Sequence, residues 1–312
     1  MNVEPGKCLK IATVTASYNE PHKLNAWHEN YLTYAHDVDL HIIVDDNSSP
    51  EYLQSVKEKF PASVILRHNQ NRGLIAALNT GFHYAIEQGV EYIVTMLPDM
   101  RLAPGCLLEM QAALEADPKL GLVCPVLLQG GSEAIIEEAG GEFDRRKVAA
   151  LKNEVGQVWQ EGWQDVKEVG FVSGGLHMVR REVFEQVGLQ DERLFMYCDE
   201  LDFDWRVRQA GYSGGVVRHA RAWHEHIYSN GKRPPWTTYL WSRNRMLIMR
   251  WHGGRLEFAM LAVARFVILF ASMFGWARRD GWAYAGAHLK GFIHGLWGID
   301  GPPAELRQKR AR

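Results

Sequence analysis

The sequence predicts an α/β protein in which helices flank a mainly parallel sheet, followed by a C-terminal helical extension. Three short apolar runs rich in β-branched residues, at 9–16, 40–44 and 92–96, are separated by segments with helical periodicity. This is the pattern of parallel strands joined by crossover helices. After residue 230 the strand-like runs give way to long helical segments. With 312 residues, 46% of them hydrophobic, the chain is ample for one large core or two domains.

Further elements follow from periodicity and from turn residues. Beyond the second strand, the pattern predicts a helix at 74–88 and another at 107–116. A further strand is predicted at 122–127. Residues 129–168 are rich in Gly, Glu and Lys with weak periodicity, so we expect an irregular insertion there.

An apolar strand is expected to resume at residues 171–179. The run is interrupted by Ser173, Gly174 and Gly175. Because glycine lacks a side chain, such an interruption marks a place where the backbone can approach a ligand closely.

The C-terminal region combines apolar helices with basic ends. Residues 237–251 predict one helix, and 256–276 form an apolar segment just long enough to span a bilayer. Arg265 in its middle is costly in a bilayer, so amphipathic helices at a membrane interface are the favoured interpretation. Arg278, Arg279 and the basic tail at 307–312 suit an anionic membrane surface. The alternative is ordinary packing of these helices on the rest of the chain.

Charge and cysteine usage limit the possible partners and the compartment. The net charge of −2 at neutral pH provides no bulk attraction for a polyanion, so no nucleic-acid partner is expected. The four cysteines lie far apart without metal-ligand spacing, and the N-terminus has no signal-peptide pattern. We therefore expect reduced thiols in a cytoplasmic protein.

Polar residues follow each of the three apolar runs. In an open α/β sheet ligands bind beyond the carboxyl ends of the strands, so residues 15–19, 45–49 and 97–101 should converge on one pocket. Hydrogen-bonding side chains at these ends suit the edges of a nucleotide base. The sequence therefore predicts a nucleotide site, although Asp45 could instead form only a local turn with its own backbone.

An acidic cluster follows an aromatic and apolar stretch at residues 195–197. Asp199, Glu200, Asp202 and Asp204 provide four carboxylates within six residues, with no basic residue among them. Carboxylates held against apolar side chains can acquire raised pKa values and base or metal roles. The alternative is a helix N-terminus with Asp199 as its cap, and the two interpretations are compatible.

Taken in order, these motifs resemble family-2 glycosyltransferases of the GT-A fold, a Rossmann-like fold of nucleotide-diphospho-sugar transferases. The resemblance covers residues 9–230 and is nearest to bacterial rhamnosyl- and galactofuranosyltransferases. It rests on these segments: 15–19, 44–49, 71–73 with Asn79 and Gly81, Pro98-Asp99, 139–141, 191–197 and the acidic cluster. It implies a catalytic domain at 1–230, with a nucleotide-binding half to about 128 and an acceptor half at 129–230, followed by a helical region at 231–312.

The resemblance implies a nucleotide diphosphate sugar as donor, linked to dTDP or UDP. It places Arg72 at the diphosphate, where a planar guanidinium is well suited. An exposed arginine at a helix start is the alternative. The residues that it implies for donor binding are Thr15, Ser17, Tyr18, Asn19, Asp45, Asp46, Arg72, Asn79, Pro98, Asp99, Gly174 and Gly175.

The resemblance also implies a Mg²⁺ or Mn²⁺ cofactor on the diphosphate. Asp99 occupies the position of the family's Asp-x-Asp motif, but residue 97 is Leu and residue 101 is Arg, so one carboxylate remains. Mg²⁺ commonly takes only one or two carboxylates, which keeps a one-aspartate site feasible. The segment at 221–226 resembles one that supplies a metal-binding histidine, with His224 favoured and His226 as the alternative.

The family's catalytic base is the second residue of an acidic pair, two positions before a further Asp. This register assigns the base to Glu200, with Asp199 as its rival and Asp202 as a supporting group. The implied reaction is an inverting transfer, with rhamnose favoured, to a lipid-linked or oligosaccharide acceptor at the inner face of the cytoplasmic membrane. Its rivals are a nucleotidyltransferase and a non-catalytic sugar-nucleotide binding subunit. Arg243 and Asn244 resemble part of a helix that covers such a site.

Overall fold

The computed structural model describes residues 10–225 and 234–303. Its strands are β1 (Ile11–Ser17), β2 (Leu40–Asp45), β3 (Val64–Arg67), β4 (Tyr92–Met96), β5 (Met100–Leu102), β6 (Leu120–Gln129), β7 (Ile136–Glu138), β8 (Gly141–Asp144), β9 (Ala149–Lys152), β10 (Val166–Val169), β11 (Leu176–Arg180) and β12 (Ser213–His224). Its α-helices are α1 (Leu24–Tyr34), α2 (Pro50–Lys59), α3 (Leu74–Glu87), α4 (Cys106–Ala116), α5 (Arg181–Val187), α6 (Asp199–Gln209), α7 (Pro235–His252), α8 (Arg255–Asp280) and α9 (Trp282–Trp297).

The main sheet is mixed and mostly parallel, with helices packed against it. Its order is β10-β12-β6-β11-β4-β1-β2-β3, with β5 beside β12 and β7 beside β6. Strands β4, β1, β2 and β3 run parallel, whereas β11 is antiparallel to both of its neighbours. The predicted α/β class and the first three predicted strands are confirmed.

The register of β1 and β2 brings two of the predicted strand ends together. Ser17 pairs with Asp45 at the last position of the ladder, and both strands are fully buried. Because β4 is the other neighbour of β1 and runs in the same direction, its carboxyl end lies at the same sheet edge. This edge is where the polar loops that follow the three strands meet.

The expectation of an irregular segment at 129–168 is wrong in part, because the segment contains short strands. Strand β7 pairs with β6, β10 pairs with β12, and β8 and β9 form a separate two-stranded sheet. These strands are three or four residues long. Such short strands owe their conformation to their partners, which leaves little local periodicity. The strand expected at 171–179 begins only at Leu176.

Helices α7, α8 and α9 pack on one another and on the acidic helix α6. A buried cluster joins Leu201 and Trp205 of α6 to Met246 and Leu247 of α7 and to Leu261 of α8. The outer face of α8 is apolar and exposed. Within the described residues, one helix is long and apolar enough to cross a membrane, at Arg255–Arg279, with a mean hydropathy of 2.1 and 11% of its most apolar window buried.

Candidate active site

Two strand-end loops are bonded to each other at the sheet edge. The Asn19 backbone N–H donates to Ser48 Oγ at 3.1 Å, and the Ser49 backbone N–H donates to Asn19 Oδ1 at 2.9 Å. Ser17 Oγ and the Tyr52 hydroxyl are 2.7 Å apart beneath them. Tyr18 is 47% exposed between the loops. The predicted convergence of 15–19 with 45–49 is therefore present, with Tyr18 as the accessible aromatic surface.

The two aspartates after β2 have different surroundings. Both oxygens of Asp45 face the Ser48 backbone N–H at 3.3 Å, which is the local turn weighed as an alternative to a base-binding role. Asp46 accepts hydrogen bonds from the Arg72 and Gly73 backbone N–H groups, both at 2.7 Å. Its Oδ1 also lies 2.7 Å from His68 Nδ1. The carboxylate of Asp46 thus fixes the entry to α3.

Glycine at position 73 is required by the backbone and by its neighbour. Its φ angle is +97°, and a methyl group there would lie 2.5 Å from the Phe195 ring. The entry to α3 is therefore pressed against the segment that leads into the acidic helix.

Arg72 and Asn79 both face the loop that precedes the acidic cluster. Arg72 pairs with Glu192 at 2.9 Å. Asn79 Nδ2 donates to the Gln190 carbonyl at 2.8 Å, and its Oδ1 accepts from the Gln190 N–H at 3.1 Å. Asn79 is buried, whereas Arg72 and Glu192 remain partly exposed. The guanidinium of Arg72 can therefore exchange its surface carboxylate for a diphosphate, but Asn79 is bound to the protein itself.

Asp99 and His224 are brought together from two distant parts of the chain. His224 Nε2 lies 4.0 Å from Asp99 Oδ1, and His224 Nδ1 lies 3.2 Å from Glu137 Oε1. Asp99 Oδ1 is buried without a hydrogen-bond partner, while Oδ2 accepts from Lys23 Nζ at 2.9 Å. His226 lies outside the described residues. Pro98 is buried at the turn that carries Asp99.

This arrangement fits a divalent cation held by two protein ligands. A buried carboxylate oxygen without a partner, facing an imidazole nitrogen, offers one oxygen and one nitrogen donor. A carboxylate on the other imidazole nitrogen, here Glu137, is the usual orienting partner of a metal-binding histidine. No group of three His, Cys, Asp or Glu side chains within 10–225 and 234–303 could hold the ion alone. Diphosphate oxygens and water would complete its shell.

The glycine pair connects the Asp99 turn to the acidic helix. The Leu97 N–H donates to the Gly175 carbonyl at 3.1 Å, at the start of the Asp99 turn. A methyl group on Gly174 would lie 3.0 Å from Glu200 Cβ. Only a residue without a side chain allows this approach at no cost. Gly174 and Gly175 thus lie between the candidate metal ligand and the candidate base.

Asp199 and Glu200 form a coupled pair of buried carboxyls at the start of α6. Burial raises the pKa of Asp199 to about 6, assisted by the negative charge of Asp202. Burial, followed by the charge of Asp199, raises the pKa of Glu200 well above its usual value. Two carboxyls this close favour sharing a proton over carrying two charges. A carboxyl with a raised pKa is a stronger base once deprotonated, as general-base chemistry requires.

The other two carboxylates of the cluster contact protein partners. Asp202 lies 2.9 Å from Arg206 Nε and 2.6 Å from His252 Nε2, which links α6 to α7. Asp204 accepts a hydrogen bond from the Val172 N–H at 2.7 Å. Burial raises the pKa of Asp204 to about 7. Both groups are almost fully buried, so they are placed to hold the helix.

The segment before α6 has an unusual backbone that other residues stabilise. Phe195, Tyr197 and Cys198 have positive φ angles of 69°, 68° and 62°, a conformation that costs free energy for residues other than glycine. The amide of Asn244 donates to the carbonyls of residues 194, 196 and 197 at 3.1, 3.0 and 2.8 Å. Arg243 donates to the residue 194 carbonyl at 3.0 Å. These two fully buried residues of α7 therefore fix the point at which the acidic helix begins.

Sequence reasoning missed several partners of the candidate site. Lys23, Glu137 and His252 contact Asp99, His224 and Asp202, respectively, and are separated from them by 50 to 87 positions. No local motif marks these residues. The alternative interpretation of the cluster as a helix N-terminus is correct, but Cys198 and not Asp199 occupies the N-cap position, and Asp199 is the first helical residue.

The chain belongs to glycosyl transferase family 2, whose family model matches residues 13–188. It is 25% identical over 220 residues to the N-acetylglucosaminyl-diphospho-decaprenol L-rhamnosyltransferase of Mycobacterium tuberculosis, covering 62% of this chain and 68% of that protein. It is 23% identical over 304 residues to the dTDP-rhamnosyl transferase RfbF of Shigella flexneri, covering 93% and 97%. The predicted family is confirmed, and these relatives are rhamnosyltransferases.

Solved structures show the same GT-A fold. The mannosyltransferase PcManGT from Pyrobaculum calidifontis, in complex with GDP-Man and Mn²⁺, superposes with a TM-score of 0.58 at 15% identity. That match covers 94% of this chain and 88% of PcManGT. GalNAc-T7 with UDP, GalNAc and Mn²⁺ gives a TM-score of 0.60 at 18% identity over 78% of this chain. The match spans about half of GalNAc-T7, at 48%.

Proposed function

We propose that this protein is an inverting glycosyltransferase that moves a sugar, rhamnose in the first instance, from a nucleotide diphosphate sugar to a lipid-linked or oligosaccharide acceptor. One observation carries the proposal: Gly174 and Gly175 lie between the turn that carries the candidate metal ligand and the candidate base. Gly175 is bonded to the turn that carries Asp99, and Gly174 lies against Glu200. Asp99, which would act on the donor diphosphate, and Glu200, which would accept the acceptor proton, thus lie on either side of one short segment.

In the proposed reaction Glu200 takes the proton of the acceptor hydroxyl while that oxygen forms a bond to the anomeric carbon. The bond from this carbon to the diphosphate oxygen breaks, so a nucleoside diphosphate leaves and the anomeric configuration inverts. One base is sufficient for such a displacement. Asp199 raises the basicity of Glu200, and Asp202 fixes α6 through its bonds to Arg206 and His252.

We assign the donor to the sheet edge formed by the loops after β1, β2 and β4. Asp99 and His224 would hold Mg²⁺ or Mn²⁺, which neutralises charge on the leaving diphosphate, and His226 is the alternative ligand. Arg72 would bind diphosphate oxygens in place of its surface partner Glu192. The nucleoside would lie against Tyr18, with Thr15, Ser17, Asn19, Asp45, Asp46, Asn79 and Pro98 shaping or supporting the walls around it.

The similarity to rhamnosyltransferases supports the choice of sugar and acceptor. One relative is named for dTDP-rhamnose and another for a diphospho-decaprenol acceptor. We therefore propose dTDP-rhamnose as the first donor to test, UDP-sugars as the second, and a lipid diphosphate sugar as the acceptor. In this proposal residues 1–230 carry the chemistry, and the helical region at 231–312 receives the acceptor.

We further propose that α8 lies in the surface of the inner membrane. Its outer face exposes Leu256, Phe266, Phe270 and Phe274 at 59% or more. Its inner face contacts the catalytic part, because Arg265 donates to the Lys147 carbonyl at 3.0 Å. A helix covered by protein along one face is suited to lie along a bilayer rather than to cross it. The charge that counts against a spanning helix thus faces the protein.

Transfer from labelled donor tests this function directly. Purified protein is incubated with dTDP-rhamnose or UDP-sugars, a bacterial lipid extract and Mn²⁺, with EDTA in a parallel sample. The proposal predicts label in the lipid fraction, release of nucleoside diphosphate and loss of both with EDTA. Release of pyrophosphate would identify a nucleotidyltransferase instead. Binding of donor without any turnover would identify a non-catalytic binding subunit.

Vesicle sedimentation tests the membrane contact separately. The wild type should sediment with phosphatidylglycerol vesicles, and Phe270→Ser should weaken that binding, because it removes a large exposed apolar side chain. Leu32→Ser is a matched control, since Leu32 is 60% exposed on a different helix, α1. Equal binding of all three proteins would contradict the membrane contact.

A further inference from the structure

Two arginines beside the acidic helix have no carboxylate partner among the described residues. Arg245 of α7 and Arg265 of α8 are both half-buried, and neither takes part in any of the ion pairs that the described residues form. Arg72, Arg101, Arg145, Arg206 and Arg218 all pair with carboxylates. Burying cations without a counter-charge costs free energy. Arg208 and Arg221 are also half-buried without an ion pair in the described part of the chain, but only Arg245 and Arg265 lie near one another beside the start of α6.

Among the described residues, no hydrogen bond joins either guanidinium to a carboxylate. Arg245 Nε is fully buried and has no hydrogen-bond partner, and its guanidinium lies 4.9 Å from the centre of the Trp241 ring. Arg265 donates to the Lys147 carbonyl, which carries no charge. Burial, followed by the positive charge of Arg245, lowers the pKa of Arg265 to about 10. Arg265 therefore remains charged at neutral pH, and its electrostatic interaction with Arg245 places the two guanidiniums near one another.

Arg245 and Arg265 lie near Cys198, the residue that precedes the proposed base and its neighbour Asp199. The buried thiol of Cys198 is influenced electrostatically by Glu200 on one side and by Arg245 on the other. Cys198 directly precedes the acidic pair in the chain. Tyr197 stacks on Trp241 with ring centres 5.7 Å apart, which adds an aromatic wall beside the arginines. The cationic pair thus lies close to Cys198, which directly precedes the acidic pair.

An apolar surface continues from the arginines along α8. Ile268, one helical turn after Arg265, is 48% exposed, and Phe266 is 59% exposed. The acidic pair at the start of α6, the two cations near Cys198 and the exposed apolar face of α8 therefore follow one another along this part of the protein. A sugar joined through a diphosphate to a long hydrocarbon chain presents a hydroxyl, then anionic groups, then an apolar chain, in the same order.

We propose that Arg245 and Arg265 bind the diphosphate of a lipid-linked acceptor, with the hydrocarbon chain along α8. This assignment rests on the proposed function and adds to it the residues that bind the acceptor diphosphate. Planar guanidiniums suit phosphate oxygens because they donate two hydrogen bonds in parallel. The same chemistry would fit the headgroup of an anionic phospholipid, so the test must separate the two sources.

Binding of farnesyl diphosphate, measured by calorimetry in EDTA, tests the assignment. EDTA removes the cation on which diphosphate binding at the proposed donor site depends. The wild type should bind, Arg245→Gln and Arg265→Gln should each weaken binding about tenfold or more, and farnesol should bind equally weakly to all proteins. Arg255→Gln is the matched control, because Arg255 is exposed at the start of the same helix. Unchanged affinity in both variants, or an equal loss in the control, would overturn the assignment.

Thermal unfolding separates a binding role from a structural one. Removing one of two neighbouring cations relieves repulsion, so Arg265→Gln should unfold at the same temperature as the wild type or higher. A lower unfolding temperature with unchanged farnesyl diphosphate affinity would indicate a structural role only. Variants that keep farnesyl diphosphate but lose phosphatidylglycerol vesicles would indicate a headgroup site and overturn the proposal.

The outcome is independent of the proposed transferase activity. If the wild type binds farnesyl diphosphate through these arginines but transfers no sugar, the lipid diphosphate site stands and the proposed function fails. If sugar transfer is observed and neither substitution alters farnesyl diphosphate binding, the proposed function stands and this acceptor site fails.

Discussion

Replacing Asp199 by asparagine removes one of the two coupled carboxyls at the start of α6 with little change of shape. Burial raises the pKa of Asp199 from 3.8 to about 6. Since each pKa unit corresponds to about 1.4 kcal/mol, the folded wild type loses about 3 kcal/mol of stability when this group ionises. Asparagine carries no charge at any of these pH values. The substitution should therefore recover that free energy.

The sign and the pH window follow from the raised pKa. Well below pH 3.8 the carboxyl is protonated in both states, so there is no difference. Wild-type stability is then lost as pH rises from 3.8 through about 6. The variant should exceed the wild type by about 1 kcal/mol at pH 4.5 and about 3 kcal/mol at pH 8. For a chain of 312 residues the larger value corresponds to a Tm increase of about 5 °C.

Urea unfolding at the two pH values, followed by transfer kinetics, completes the experiment. A variant that is less stable than the wild type at pH 8, or a stability difference that does not change with pH, would refute the assigned burial of charge. Asp199→Asn also removes the negative charge beside Glu200, so the acid limb of the kcat profile should move to lower pH. Complete loss of transfer at every pH would make Asp199 the base instead.

Three further substitutions test separate parts of the site. Asn244→Ala removes the amide that binds three carbonyls before α6, and urea unfolding should show a loss of about 2–4 kcal/mol. Gly174→Ala places a methyl group 3.0 Å from Glu200 Cβ, so kcat should fall about tenfold or more with donor affinity, measured by calorimetry, unchanged. His224→Ala should raise the Mn²⁺ concentration for half-maximal transfer at least about tenfold, whereas His83→Ala, on the exposed face of α3, should leave it unchanged.

The central strands could be predicted because a fully buried strand gives a continuous apolar run in the sequence. Strands β1, β2 and β4 are buried along their whole length, so their residues are continuously apolar or β-branched. Strand β3, at 64–67, has four residues and is only partly buried, which leaves too weak a pattern. The short strands at 136–169 exist through pairing with β6, β12 and each other, which no local window contains.

In the candidate site, too, residues that are adjacent in the sequence could be predicted, whereas contacts between distant residues could not be predicted from local patterns. The acidic cluster is contiguous, so its chemistry could be proposed from the sequence. The contact between Asp99 and His224 spans 125 positions and was expected only because the segments resemble a family. Arg265 was interpreted from the sequence by its charge alone, as an obstacle to membrane insertion. Its direction toward the Lys147 carbonyl depends on how α8 packs, which composition does not encode.

The most direct test of the proposed mechanism is transfer by Glu200→Gln under single-turnover conditions, with donor and Mn²⁺ saturating. The account predicts normal donor affinity by calorimetry and a transfer rate reduced about 10²–10⁴-fold, because only the base is removed. Product from the wild type should have the inverted anomeric configuration. Near-normal transfer by Glu200→Gln, together with an inactive Asp199→Asn, would contradict the assignment of Glu200 as the base.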